Sequence, residues 1–353
     1  MNGSTAGSRV ALNREKLRTR RAARSKQWTP QRLRSAGSYW HARILATAAH
    51  LKVFDWLGKK ARSARAASEY FGGTQEGWKT FLDALSAMGL LKKRVRSYEN
   101  SSFALRHLCS GNGSFLLSDY DAWDVWGKLP AFLTSGKRPK ISQPFFTNRE
   151  QTERLLQSLD QDARKIAPYL MARLPLSSSK TLLDVGGGFG SFAIACCQRF
   201  PELRATIVEH PRVVIFTSRA VKKARMAKQV QVLALDVVKD PLPRGFDLVL
   251  VSNVLHGQGV RESRALLRSA YRCLNQGGRI ILRDVLMNRA GTDPDWGALF
   301  SVALFLHTPH GRCYALDEVR GWLRMAGFSG IKGPFPSSPL TFDPDFVLIA
   351  EKR

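Results

Sequence analysis

The chain has 353 residues, 44% of them hydrophobic, which supports a substantial core and more than one average domain. No stretch nears the roughly 20 continuous apolar residues that span a bilayer, and the N-terminus lacks the apolar core of a signal peptide, so a soluble, cytoplasmic protein is expected. Fifty-five Lys/Arg against 28 Asp/Glu give a net charge of +27, while the five scattered cysteines (Cys109, Cys196, Cys197, Cys273, Cys313) argue against a disulfide framework and are expected to be reduced packing residues.

Residues 1–34 carry ten Lys/Arg against one acid, Glu15, and few large apolar side chains. Residues 1–27 therefore read as a solvated, disordered arm; contact with nucleic acid or anionic lipid is the competing reading, and an Arg- and Ser-rich start also suits a transit sequence. From Thr29 to Leu57 apolar residues recur at helical spacing up to Gly58. A second helix is expected over Ala64–Phe71 before Gly72-Gly73, and a third over about Gln75–Met88 before Gly89. Leu90–Tyr98 and Ser102–Leu105 look like short strands around an Asn100-Ser101 turn. Three helices and a hairpin over residues 28–110 make a winged helix, which serves either DNA binding or dimerisation. The third helix favours dimerisation, because it carries Glu76, Lys79 and Asp83 where base readout needs an Arg/Asn/Gln cluster.

Residues 111–175 form a helical connection, with Trp123, Trp126, Leu129, Phe132 and Leu133 as an aromatic stripe before a loop at Gly136–Pro144. The stripe either fills core or lines the pocket of a flat apolar substrate. From residue 176 onward strand and helix alternate, with strands expected over Thr181–Val185, Arg204–Glu209, Val230–Leu235, Phe246–Val251 and Arg279–Asp284. The fold class is α/β, a doubly wound, mostly parallel sheet. Ile331-Lys332 and Phe346–Ala350 close it with an antiparallel edge, giving seven strands.

Within this half, Leu182–Val185 runs into Gly186-Gly187-Gly188-Phe189-Gly190 with Asp184 directly before it, and Glu209 ends the next strand. Such a strand, tight turn and helix, with an acid about 20 residues on, is how an open sheet holds a nucleoside. The Gly-x-Gly-x-Gly spacing differs from the dinucleotide fingerprint, and no Gly-Lys-Ser/Thr follows to hold a triphosphate. A nucleoside without phosphates remains, and S-adenosylmethionine fits. His256 follows the strand ending at Val251, and Asp284 ends the next strand. If those strands are neighbours, the carboxylate could hold the imidazole as a general base for a phenolic acceptor, since histidine's reference pKa of about 6.5 suits that task. The competing reading has both residues as helix caps. Trp296, Phe300, Leu304 and Phe305 recur at helical spacing and form either one pocket wall or core; His307 and His310 flank Thr308-Pro309. No local Cys/His/Asp spacing indicates a metal site.

Several further segments, in order, carry a resemblance: Ala46–Asp55, Leu82–Leu85 with Gly89–Leu91, Leu183–Gly188, Ser252-Asn253-Val254-Leu255-His256, Gly277–Asp284, and Thr308–Arg312 with Ala326–Phe328. From about residue 28 onward the chain resembles the class I S-adenosylmethionine-dependent O-methyltransferases of the plant caffeate and bacterial hydroxyneurosporene, polyketide and hydroxyindole type, which carry an N-terminal winged-helix dimerisation domain. The resemblance implies a homodimer acting on a small aromatic or apolar acceptor, with a cofactor domain over 176–353. It implies a cofactor site of the glycine loop (Asp184, Gly186, Gly187, Gly188, Gly190), Glu209 for the ribose, and Asp236 with Val237 beside the adenine. Position 209 is more often Asp in the family, and Ser252 stands where plant members place a lysine, so a different cofactor contact is expected there. His256 matches the catalytic histidine and Asp284 its partner carboxylate, usually Glu. The second supporting carboxylate falls at Cys313, and Gly257-Gln258-Gly259 replaces a common Asp-Trp. A C- or N-methyltransferase on the same scaffold, or a cofactor-binding regulator that touches nucleic acid, are the alternative functions.

Overall fold

The computed structural model describes residues 39–109, 115–135, 148–172, 179–337 and 345–353. The basic arm, the stretch 29–38 and the Gly136–Pro144 loop lie outside them. The chain divides into two compact units, 1–106 and 107–353.

In the first unit the long helix expected up to Leu57 is two, α1 (Trp40–His50) and α2 (Val53–Leu57). Lys52, in the left-handed region at φ 56°, breaks them. Side-chain caps start the next two: Ser63 Oγ accepts from the Ala66 N–H ahead of α3 (Ala64–Phe71), and Thr74 Oγ1 from the Gly77 N–H ahead of α4 (Gln75–Ala87). Gly89, at φ 74°, ends α4 as its position promised. The hairpin differs from the expectation. β1 (Leu91–Lys93) pairs antiparallel with β2 (Tyr98–Asn100) around a turn at 94–97, and Ser102–His107 is helix α5, not a strand. The reason is local: Ser101 Oγ accepts from the Ala104 N–H and starts a helix, while the buried Asn100 amide donates to the Phe54 and Gly58 carbonyls and fixes the end of β2. Phe54, Leu57, Leu82, Leu85, Leu91 and Tyr98 form the buried interior of this unit.

The second unit begins with α6 (Phe115–Trp126), α7 (Leu129–Ser135) and α8 (Arg149–Met171). The aromatic stripe is not core: Trp126 and Leu133 are exposed, and α7 buries no residue. There follow β3 (Thr181–Val185), α9 (Ser191–Arg199), β4 (Arg204–Glu209), α10 (Val214–Lys223), β5 (Val230–Ala234), β6 (Phe246–Ser252), α11 (Val260–Cys273), β7 (Leu274–Asp284), β8 (Leu286–Met287), α12 (Asp295–His307), β9 (Tyr314–Ala315), α13 (Leu316–Ala326), β10 (Ser329–Pro336) and β11 (Phe346–Glu351). Seven strands form one sheet in the order β10-β11-β7-β6-β3-β4-β5. β7, β6, β3, β4 and β5 run parallel, whereas β11 is antiparallel to β7 and β10 to β11.

The parallel strands read as continuous apolar runs because both faces are covered. Leu183, Val185, Val249, Val251, Ile280 and Leu282 belong to one core cluster, with residues of α11 and α13. Their sequence neighbours Leu182, Leu248, Leu250 and Ile281 belong to the other, with α8 and α9. After β5 the chain returns to the far side of β3, so the strand order reverses between β3 and β6. That switch point opens a crevice at their carboxyl ends. All five cysteines are buried, and none of them forms a disulfide.

Candidate functional site

The glycine loop leaves β3 at the switch point. Gly186, Gly188 and Gly190 have φ of 68°, 57° and 78°, a left-handed conformation that side chains resist. Packing adds a second constraint: a Cβ on Gly187 would stand 2.8 Å from Asp184 Oδ2, and one on Gly186 would stand 2.9 Å from Val254 Cγ2. Asp184 is fully buried beneath the loop. Desolvation, and then the charge of Glu209, push its carboxyl up to about 7. Glu209, ending β4, accepts from the Gly188 N–H through Oε2 and from the His210 N–H through Oε1, both at 2.7 Å. Burial still raises its pKa, with those two hydrogen bonds opposing the shift. The bare loop beside a carboxylate with remaining lone pairs fits a nucleoside with a free diol.

At the other side of the crevice, β6 and β7 are paired neighbours, as the dyad reading required. Asn253, at φ 57°, ends β6, and a short 3-10 turn over Leu255–Gly257 carries His256. His256 Nδ1 lies 2.6 Å from Asp284 Oδ1. Asp284 is 2% exposed and also accepts from the Leu255 N–H at 3.0 Å, through Oδ2, and from the Val285 N–H at 2.8 Å, through Oδ1. The carboxylate therefore fixes both the turn and the ring. With Nδ1 as the donor, Nε2 is left as the basic nitrogen. The Phe300 ring meets the imidazole edge-on at 5.1 Å, and Trp296 stacks on Phe300 at 4.7 Å. Both aromatics lie on α12, against which α6 packs. The 308–311 turn braces His256 from behind, for a Cβ on Gly311 would stand 2.5 Å from its carbonyl oxygen.

Other expected residues sit as follows. Asp236, just after β5, has its carboxylate engaged by Lys239 at 2.8 Å and by the Val238 N–H at 3.1 Å, and Val237 is half-buried beside it. Ser252 Oγ accepts from Arg283 at 3.0 Å. Arg283 is itself buried, ion-paired with Asp345 and set over the Phe192 ring. Cys313 lies in an apolar cluster with Val285, Met287 and Leu304, and burial pushes its thiol up to about 12. His307 is partly buried, which lowers its pKa, and His310 is exposed.

Sequence reasoning missed several contacts. Thr217 donates to the Gly188 carbonyl at 2.5 Å, and the Ser191 hydroxyl donates to Asp160. Arg283 and Asp345 were also missed. None had a local signal, because each pair lies 29 to 62 residues apart in sequence and is brought together by tertiary packing. Among the described residues no group of His, Cys, Asp or Glu could hold a metal ion, and no helix is long and apolar enough to cross a membrane.

The model of the O-methyltransferase domain family matches residues 141–329, more than half of the chain, and the chain belongs to that family. It is 28% identical over 313 residues to the 3-hydroxy-5-methyl-1-naphthoate 3-O-methyltransferase of Streptomyces sahachiroi, covering 86% of this chain and 90% of the relative. It is 28% identical over 314 residues to the tetracenomycin polyketide synthesis 8-O-methyl transferase TcmO of Streptomyces glaucescens, covering 86% and 92%. Human N-acetylserotonin methyltransferase, solved in complex with SAM, has the same fold at a TM-score of 0.79 and 22% identity, covering 93% of this chain and 99% of that one. The protein is an S-adenosylmethionine-dependent methyltransferase.

Proposed function

We propose that the protein methylates a hydroxyl of a small aromatic or apolar metabolite, with His256 as general base and Asp284 as the group that orients it. The observation that carries this reading is the 2.6 Å contact between His256 Nδ1 and Asp284 Oδ1 at the crevice. S-adenosylmethionine supplies an electrophilic methyl on a sulfonium. The chain's task is to align the acceptor oxygen with that methyl, exclude water and remove the hydroxyl proton. A phenol with a pKa near 10 is largely protonated at neutral pH, so a base at its oxygen assists transfer. His256 Nε2 takes that proton, and the Asp284 carboxylate stabilises the resulting imidazolium.

In the same reading Glu209 accepts from the ribose diol, the Gly186–Gly190 backbone lies along the ligand, and Asp184 supports that backbone from below. Asp236 and Val237 border the adenine; Ser252 contributes by anchoring Arg283 behind the site. Trp296 and Phe300 form an acceptor wall, and the two relatives named above act, by their names, on a naphthoate and a polyketide. Residues 28–110 are read as a winged helix that pairs two copies of the chain in the cytoplasm.

The test is transfer of labelled methyl from S-adenosylmethionine to a panel of hydroxynaphthoates and polyketide phenols. Label on oxygen, lost in His256→Ala, supports the reading. Relatives named as an N,N-dimethyltransferase and a tyrosine C(3)-methyltransferase motivate the second reading, transfer to nitrogen or carbon, in which His256→Ala leaves turnover unchanged.

A further inference from the structure

We propose that Asp160 receives the α-ammonium of the cofactor's methionine arm, so that the cradle extends from Glu209 across the glycine loop onto α8. The inference rests on the reading of that loop and Glu209 as the cofactor site.

α8 lies over the loop. A Cβ on Gly188 would meet Leu156 Cδ2 at 3.7 Å, and Leu156 packs with Phe189 of the glycine loop and with Val213 and Phe216 at the start of α10. One turn further along the same face stands Asp160. Its Oδ1 accepts from the hydroxyl of Ser191, the first residue of α9 and the one immediately after Gly190. Glu209 thus meets the loop at Gly188, and Asp160 meets it where it becomes helix.

Burial separates Asp160 from the other ion-paired acids of α8. Its side chain is 11% exposed, whereas those of Glu150 and Asp162 are 82% and 50% exposed and pair with Arg154 and Lys165. A carboxylate so far withdrawn from water needs positive charge. Arg164 Nε reaches Oδ2 at 2.9 Å, but that side chain is 72% exposed and its charge is largely screened by solvent. A carboxylate has about four acceptor sites, and Ser191 and Arg164 take two.

The ligand's chemistry matches this layout. In the proposed placement the diol lies at Glu209, which meets the loop at Gly188, and the methionine arm would reach over the loop so that its primary ammonium falls at Asp160, which meets Ser191. A charge-assisted hydrogen bond from that ammonium to Asp160 completes the pairing.

Calorimetric titration with two probes tests the proposal: S-adenosylhomocysteine, which carries the amino-acid arm, and 5′-methylthioadenosine, which lacks it. Asp160→Asn is expected to weaken S-adenosylhomocysteine about tenfold or more and to leave 5′-methylthioadenosine within twofold, while Ser191→Ala weakens S-adenosylhomocysteine less. Binding of 5′-methylthioadenosine reports a folded site in each variant, and Asp160→Ser repeats the measurement with a smaller side chain. Unchanged affinity for S-adenosylhomocysteine overturns the proposal. So does equal weakening of both probes, or a Ser191→Ala loss as large as that of Asp160→Asn, for Asp160 then acts only by anchoring the loop. If instead Glu209→Ala leaves both probes bound as in the unaltered protein, the placement of the cofactor site itself fails.

Discussion

His256 and Asp284 stand 28 residues apart in sequence and 2.6 Å apart in space, joined because β6 and β7 are parallel neighbours in register, with Ser252 opposite Arg283. The carboxylate holds the imidazole and the backbone of its turn together. Replacing His256 by Ala should lower kcat for a phenolic acceptor about 100- to 1,000-fold, within the range for general-base removal, and leave S-adenosylhomocysteine affinity within twofold. Steady-state kinetics and calorimetry on the same preparation check both halves.

Asp284 carries charge and geometry, and two substitutions separate them. Asp284→Asn keeps one acceptor oxygen, for His256 Nδ1 and the Val285 N–H, but sets an amide NH2 against the Leu255 N–H and loses the charge that stabilises the imidazolium, so kcat should fall by roughly two orders of magnitude or more with a smaller loss of melting temperature than in Asp284→Ala. Asp284→Ala also strands buried donors at about 1–3 kcal/mol each, and its Tm should drop by several degrees. Equal Tm values for the two variants would contradict the second role.

The glycine loop should tolerate no side chain at position 190. Gly190 is in the left-handed region, and a Cβ there would collide with Ile207 Cδ1. Gly190→Ala is expected to weaken S-adenosylhomocysteine at least tenfold, whereas Gly257→Ala, where a Cβ meets open space, should leave its affinity within about twofold.

Asp184 makes stability fall as pH rises. Its carboxyl stands at about 7 in the folded protein, raised first by desolvation and then by Glu209, against 3.8 for the free group. Between those values the folded chain binds the extra proton, so its contribution is fully present below about 4 and lost as pH passes through about 7. Asp184→Asn should flatten the decline in Tm between pH 4 and pH 7, as scanning calorimetry across that window would record.

The Arg283–Asp345 pair is buried on both sides, at 7% and 3% side-chain exposure. Removing one partner leaves an uncompensated buried charge, so Asp345→Ala should cost about 3–5 kcal/mol and lower Tm by on the order of 10 °C. A double replacement by apolar residues of similar volume should recover most of that loss; failure to recover would assign the pair a wider structural role.

Much of this was legible in the sequence because it is local or periodic. The apolar runs Leu182–Val185 and Phe246–Val251, the glycine spacing at 186–190 and the antiparallel edge at Phe346–Ala350 are each written within a few residues, and backbone sterics and burial act at that range. The errors were also local. Lys52 broke an expected helix by adopting positive φ, and Ser101 capped a helix where β-like composition had indicated a strand.

What only the tertiary structure decided is which distant residues meet. The composition of the 123–133 stripe could not tell core from a pocket wall, since that depends on which neighbours cover it; Trp126 and Leu133 are exposed. Nothing near Ser191 announces Asp160, nor does anything near Arg283 announce Asp345. Those pairings follow from how α8 and the closing strands pack on the sheet. The sequence by itself determined the strands, the loop and the candidate base, because backbone preference and hydrophobic periodicity are short-ranged. The sheet's strand order set the charges that surround them, because a buried ionised group must find its partner in space, wherever that partner lies along the chain.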